Sequence, residues 1–159
     1  MSGNWVASDG SYAQTELGKF DLISFYNRPV AGPFQLEAEM RYVEGSMGGG
    51  IVFAAPTNTS KAGAHMASYT AGGAALHWGY YDEFGIFQAQ GYSNVASGAD
   101  GNVHTVTVET TDTTYRLIVD GAVIAENIPL IQDVDGYVGL TASTSHVIFD
   151  NIRMRSSQP

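Results

Sequence analysis

Residues 34–42, Phe-Gln-Leu-Glu-Ala-Glu-Met-Arg-Tyr, alternate without interruption. Phe34, Leu36, Ala38, Met40 and Tyr42 fall on one side, and Gln35, Glu37, Glu39 and Arg41 on the other. Successive side chains of a strand point to opposite faces, so this stretch is a strand with one buried and one wet face. No segment sustains a helical period over three turns. The remaining apolar runs are short and are separated by Gly, Pro, Asn and Asp. Together they read as about a dozen strands, spaced as in all-β sandwiches. The expected fold class is therefore all-β, an antiparallel two-sheet sandwich.

The 159 residues suffice for one core, and no Pro/Ser linker or shift of composition divides them, so one domain over 1–159 is expected. The 19 glycines fit many strands joined by tight turns. No internal repeat is present, which argues against a propeller or solenoid. Only 7 Lys and Arg stand against 16 Asp and Glu, a formal charge of −9. Such a surface repels phosphate backbones and anionic membranes, leaving neutral ligands or cations such as calcium as partners. The absence of cysteine removes disulfides, thiolate metal sites and cysteine nucleophiles. The opening MSGNWVASDG shows no basic segment followed by an apolar run, so no signal peptide is read there. Few lysines and many Gly, Thr, Ser and Tyr residues point to an extracellular or periplasmic module, with other domains of a longer parent protein as partners.

Along the chain, Trp5–Tyr12 reads as a strand with an Asp9-Gly10 turn, and Phe20–Tyr26 as another, broken by Pro29 and Pro33. Glu44, Gly45 and Ser46 read as a turn between the alternating strand and a second strand over 48–55. The glycines of that second strand, Gly48 to Gly50, let another backbone or a ligand come close. Ala64–Thr70 is a strand. Ala75–Tyr92 (ALHWGYYDEFGIFQAQGY) reads as a β-hairpin around Asp82-Glu83-Phe84-Gly85. Val103–Thr110 and Thr114–Asp120 form a further hairpin, and Tyr137–Ala142 and His146–Arg155 close the chain as two strands.

Several landmarks occur in a familiar order. Trp5 precedes Asp9-Gly10-Ser11-Tyr12, and the alternating strand precedes Gly49-Gly-Ile-Val-Phe53. His104-Thr-Val-Thr-Val108 leads to Tyr115-Arg-Leu-Ile-Val-Asp-Gly121. Gly136-Tyr-Val-Gly-Leu140 is followed by Val147-Ile-Phe-Asp-Asn-Ile152. Over nearly its whole length the chain resembles the concanavalin A-like jelly-roll superfamily. Within it, the chain is similar to laminin-G-like bacterial modules, such as the fructan-binding modules of levanases and the domain assigned to 3-keto-glycoside hydrolases. The resemblance implies two packed antiparallel sheets, one concave, with sugars bound in the groove or at its loop edge. The superfamily hosts lectins, binding modules and glycoside hydrolases, so function has to be argued from the site.

A glycosidase needs two carboxylates flanking the scissile bond. The Glu-x-Asp-x-x-Glu spacing of the retaining glucanases of this superfamily is absent. Glu37 and Glu39 sit on the wet face of an ordinary strand, and Asp82 and Glu83 on a turn. The four histidines, His65, His77, His104 and His146, have no mutual ligand spacing. Calcium takes carboxylate and carbonyl oxygens, and the resemblance implies one structural ion. Asp150, Asp9, Asp133 and Asp135 are its candidate ligands, although Asp-Gly turn chemistry accounts for the same residues without an ion.

A sugar ring has an apolar face and a rim of hydroxyls, which suits flat rings beside side-chain amides. The central hairpin and the strand before it offer His77, Trp78, Tyr81, Gln88 and Gln90, with Tyr69 and His65 beside them. By parity His77, Gly79 and Tyr81 share the groove face, and Leu76, Trp78 and Tyr80 the core face; a β-bulge would invert such assignments. The expected function is a non-catalytic carbohydrate-binding module for a neutral glycan. The alternatives are a small glycoside hydrolase using Glu37, Glu39 or Asp82, and a structural or adhesive module in which the aromatics are core or an interface.

Overall fold

The computed structural model describes residues 2–71 and 75–156. The strands are β1 (Trp5–Ser8), β2 (Ser11–Gln14), β3 (Leu22–Phe25), β4 (Phe34–Ala55), β5 (His65–Thr70), β6 (Ala75–Tyr81), β7 (Phe87–Asn94), β8 (Val103–Thr110), β9 (Thr114–Val119), β10 (Ala122–Pro129) and β11 (Tyr137–Ser156). All pairings are antiparallel, and no helix occurs among the described residues.

Two long strands do the work of two sheets. The first part of β4, Gln35–Arg41, pairs with β8, and Phe34–Tyr42 pairs with the end of β11. The second part, Gly48–Phe53, pairs with β5 and with the beginning of β11. A back layer follows in the order β1-β2-β11-β4-β8-β9-β10, and a front layer in the order β3-β11-β4-β5-β6-β7. The bend between them falls where both strands lose register, between Ser143 and Ser145 of β11 opposite Gly45 of β4. Gly45 sits at φ 119° and Thr144 at φ 46°. A Cβ on Gly45 would stand 2.2 Å from the Thr144 carbonyl oxygen, so only glycine lets the two strands fold over together here. The segment 44–46 is thus a bend within one strand, not a turn between two. The two closing strands read from the sequence are likewise one bent β11.

Phe34, Leu36, Ala38 and Met40 from the back layer meet Ile51, Phe53, Ala67, Tyr69, Leu76 and Trp78 from the front layer in one core. The alternation faces inward as expected over Phe34–Met40, whereas Tyr42 lies half-buried outside the core and its hydroxyl donates to the Gly45 carbonyl. A second, smaller cluster lies on the outer face of the front layer: Ile23, Val52, Ala55, Ala64, Met66 and Tyr81, with Phe25, Phe87 and Tyr137 against it. The front layer is therefore packed on both faces. This is why β5 is buried at every position but its last.

Candidate functional site

The outer face of the front layer carries the site. One straight rung of paired residues crosses it. Ile23 faces Thr141, Thr141 faces Gly50, Gly50 faces Ser68, Ser68 faces His77, and His77 faces Tyr92. Directly paired residues project to the same face of a sheet. The rung thus lines up a hydroxyl, a bare glycine, a second hydroxyl, an imidazole and a phenol ring. Gly50 keeps the middle low. A Cβ there would lie 2.0 Å from the Ala67 carbonyl oxygen, so the strands themselves require the glycine.

A cavity of about 260 Å³ opens over this rung. Thr141, Ser68 and His77 form its floor, and Met47, Met66 and Phe87 its apolar walls. Phe20, Asp21 and Ser143 close one end. Phe20 is 65% exposed, a large ring held at the rim with its surface in solvent. Asp21 is fixed from several sides. Its backbone N–H donates to Ser143 Oγ at 2.9 Å, and its carboxylate takes a 2.6 Å ion pair from Lys61 Nζ. The same ammonium lies 4.6 Å from the centre of the Tyr81 ring. The His77 ring meets Phe87 edge-on at 5.9 Å. Burial holds the His77 pKa below the ordinary imidazole range, with the Asp21 charge opposing, so a neutral imidazole faces the cavity at neutral pH.

The residues singled out in the sequence separate into distinct environments. His77 stands in the cavity. Tyr81 shares its face, as its parity required, but is fully buried under Lys61 and against Phe87, with its hydroxyl enclosed near the Asp21 carboxylate. Burial, then the nearby Asp21 carboxylate, pushes that phenol far above its ordinary pKa. Trp78 and Tyr69 belong to the core between the sheets. The Tyr69 hydroxyl donates to the Ala96 carbonyl at 2.5 Å. His65 is fully buried, stacked on Phe53, and its Nε2 accepts the Ile131 N–H at 3.1 Å. These three side chains point into the sandwich and cannot reach a ligand on the front face. The strand before the hairpin instead contributes its opposite parity, Met66 and Ser68.

The glutamines also depart from expectation. The register of β6 and β7 shifts between Trp78 and Gly79, opposite Gly91 and Ala89. Gln90 is the extra residue of that bulge and, like Gln88, lies on the inward side. Its Nε2 donates to the Pro129 carbonyl at 2.9 Å, and its Oε1 accepts from the Tyr115 hydroxyl at 2.8 Å. Gln88 pairs with Tyr80, on the face away from His77, and its Nε2 donates to Asp82 Oδ2 at 2.9 Å. Both amides are structural ties. Phe20, Asp21, Ser68, Thr141 and Ser143 had no local signal. They become neighbours only through the pairing of β3, β11, β4 and β5.

The carboxylates considered for hydrolysis lie elsewhere. Glu37 pairs with Arg153 at 3.6 Å, and Glu39 Oε2 accepts from Asn151 at 2.9 Å, both on the outside of the back layer. Asp82 accepts the Phe84 and Ile86 N–H groups at 3.0 and 2.9 Å, closing the hairpin turn. Asp21 is the one carboxylate lining the cavity among the described residues.

The proposed calcium ligands do not form one donor set. Asp9 and Asp150 line a depression on the back layer with Glu39. Asp135 instead accepts the Gly32 N–H at 2.7 Å, and Asp133 is exposed in the same distant loop. Among the described residues no three His, Asp or Glu side chains group as a metal site needs.

The sequence matches no protein-family model and no curated protein. Solved structures do match. The carbohydrate-binding module CBM66 from Bacillus subtilis superposes with a TM-score of 0.85 at 12% identity, covering 97% of this chain and 92% of that one. A protein of unknown function with a galectin-like fold, also from Bacillus subtilis, gives 0.77 at 10% identity, covering 98% and 86%. The carbohydrate recognition domain of Emp47p gives 0.67 at 11% identity, covering 98% and 87%. The likeness to these structures extends over almost the full chain, and the fold is the antiparallel, concanavalin A-like jelly-roll sandwich.

Proposed function

We propose that this protein is a carbohydrate-binding module that seats a neutral glycan in the cavity on the outer face of the front layer. The observation that carries the reading is the lining of that cavity. Met47, Met66, Phe87 and the exposed Phe20 offer apolar surface. Ser68, Thr141, Ser143, His77 and Asp21 offer hydrogen-bonding groups between them. A sugar presents an apolar ring face and a rim of hydroxyls, and a cleft of apolar walls with a few fixed polar groups is the complementary surface. The fold shared with a carbohydrate-binding module and a carbohydrate recognition domain supports the same reading. The net charge of −9 favours neutral over acidic saccharides. A single lining carboxylate, already paired with Lys61, favours binding over hydrolysis, which takes two.

The test is a glycan array followed by calorimetry on the hits, with Phe20→Ala and His77→Ala as variants. Each variant is expected to keep the parent's unfolding midpoint within a few degrees and to weaken binding about tenfold, the loss of one ring or hydrogen-bonding contact. Absence of binding to every neutral glycan, with the parent folded, would defeat the reading.

A further inference from the structure

Tyr92 ends the rung that floors the cavity, yet lies outside the cavity itself. It pairs directly with His77 and leaves 74% of its surface in solvent. Phe20 stands at the opposite end, beside Thr141 and Asp21, with 65% of its surface exposed. Two large rings are thus left open at the two ends of one line of polar groups. Other large apolar side chains of this chain are as exposed, Phe84 among them; what distinguishes these two rings is their place at the ends of one polar line.

The length of the line decides what fits. From Thr141 on β11 to Tyr92 on β7 the rung crosses β4, β5 and β6. With strands about 4.8 Å apart, those four steps span about 19 Å. That is several times the width of one sugar ring and matches a short oligosaccharide. No side chain interrupts the line at Gly50, where a Cβ is excluded by the Ala67 carbonyl.

Resting on the reading of the face as a glycan site, we infer that it takes a stretch of a linear neutral oligosaccharide laid across the strands. Phe20 and Tyr92 stack on sugar rings at the two ends, and Thr141, Ser68 and His77 bond hydroxyls between them. Tyr92 is an extended-subsite residue: it serves long ligands and does nothing for a monosaccharide held over Ser68 and His77.

The experiment is calorimetry of the whole chain with neutral homo-oligosaccharides of glucose, fructose and galactose, each from monosaccharide to tetrasaccharide. Affinity in the recognised series is expected to rise at least tenfold from monosaccharide to tetrasaccharide. Tyr92→Ala is expected to remove most of that gain while leaving monosaccharide affinity within twofold. Tyr92→Phe is expected to retain it, which separates ring stacking from a role of the hydroxyl. Because Tyr92 is exposed, an unchanged thermal midpoint establishes that the variant is folded. Equal affinity for monosaccharide and tetrasaccharide would overturn the inference while leaving the glycan site standing. A length dependence untouched by Tyr92→Ala would do the same. No binding in any series, confirmed on a broad glycan array, would overturn both.

Discussion

The Tyr115 hydroxyl, on β9 of the back layer, donates a 2.8 Å hydrogen bond to Oε1 of Gln90, on β7 of the front layer. The same amide donates to the Pro129 carbonyl of β10, so one bulged glutamine ties two strands of the back layer to the edge of the front layer.

Gln90→Ala should therefore act on stability and not on binding. Tyr115 is 1% exposed, and its hydroxyl would be left buried without an acceptor. The cost is about 1–3 kcal/mol. Urea unfolding reads that loss, and calorimetry with the recognised glycan should show affinity unchanged. A tenfold loss of affinity at full stability would return Gln90 to the site.

Tyr81 separates ring from hydroxyl. Its ring is fully buried against Phe87, while its hydroxyl is enclosed near the Asp21 carboxylate without a well-formed hydrogen bond. Tyr81→Ala should destabilise by about 3–5 kcal/mol, as for other buried aromatics. Tyr81→Phe keeps the ring and removes only a hydroxyl without a well-formed hydrogen bond, so it should cost far less, under about 1.5 kcal/mol. Thermal unfolding of the two variants checks this; a marked destabilisation of Tyr81→Phe would mean that the hydroxyl is bonded.

The two buried histidines should give pH dependences of opposite sign. Burial pushes His65 down to about 4, offset in part by the Gly79 backbone. A depressed pKa makes the unfolded chain the better proton acceptor between about 6.5 and 4. The stability from His65 is thus complete above about 6.5 and falls as pH drops through that window, by on the order of 3 kcal/mol. His104 is held between Asp120 Oδ2 at 2.7 Å and Asp100 Oδ1 at 3.0 Å. Burial opposes its charge, but the bonds and charges of Asp120 and Asp100 outweigh that and raise its pKa. Its stability is complete below the ordinary histidine value and lost as pH rises through the raised one. Urea unfolding across this range should show His104→Gln losing the alkaline-side decline that the parent retains. A parallel decline in both proteins would rule out His104 as its source.

How much was legible follows from the range of each signal. Alternation over 34–42 named its core side correctly, because strand parity is local and Phe34 to Met40 lie in a single regular stretch. Parity likewise put His77 and Tyr81 on one face and Trp78 on the other. It failed at both glutamines, because the hairpin pairs Gln88 with Tyr80 and not with His77 or Tyr81, a register that parity within one strand does not fix. It failed again at His65 and Tyr69. Two-sided packing buried both parities of β5, so a polar residue no longer marked the wet side. The 44–46 bend read as a turn because Gly45 signals a change of direction, and whether pairing survives that change depends on β11, a hundred residues away.

The residues alone determined an all-β antiparallel sandwich, the inward side of its longest alternating stretch and a net charge of −9, since each follows from side-chain order or summed charge. The tertiary structure decided which polar groups share a cavity. Thr141, Ser68, His77 and Tyr92 come from four strands and meet only because hydrogen-bonded register aligns them on one rung. Register is set by pairing between distant segments, and no local pattern carries it.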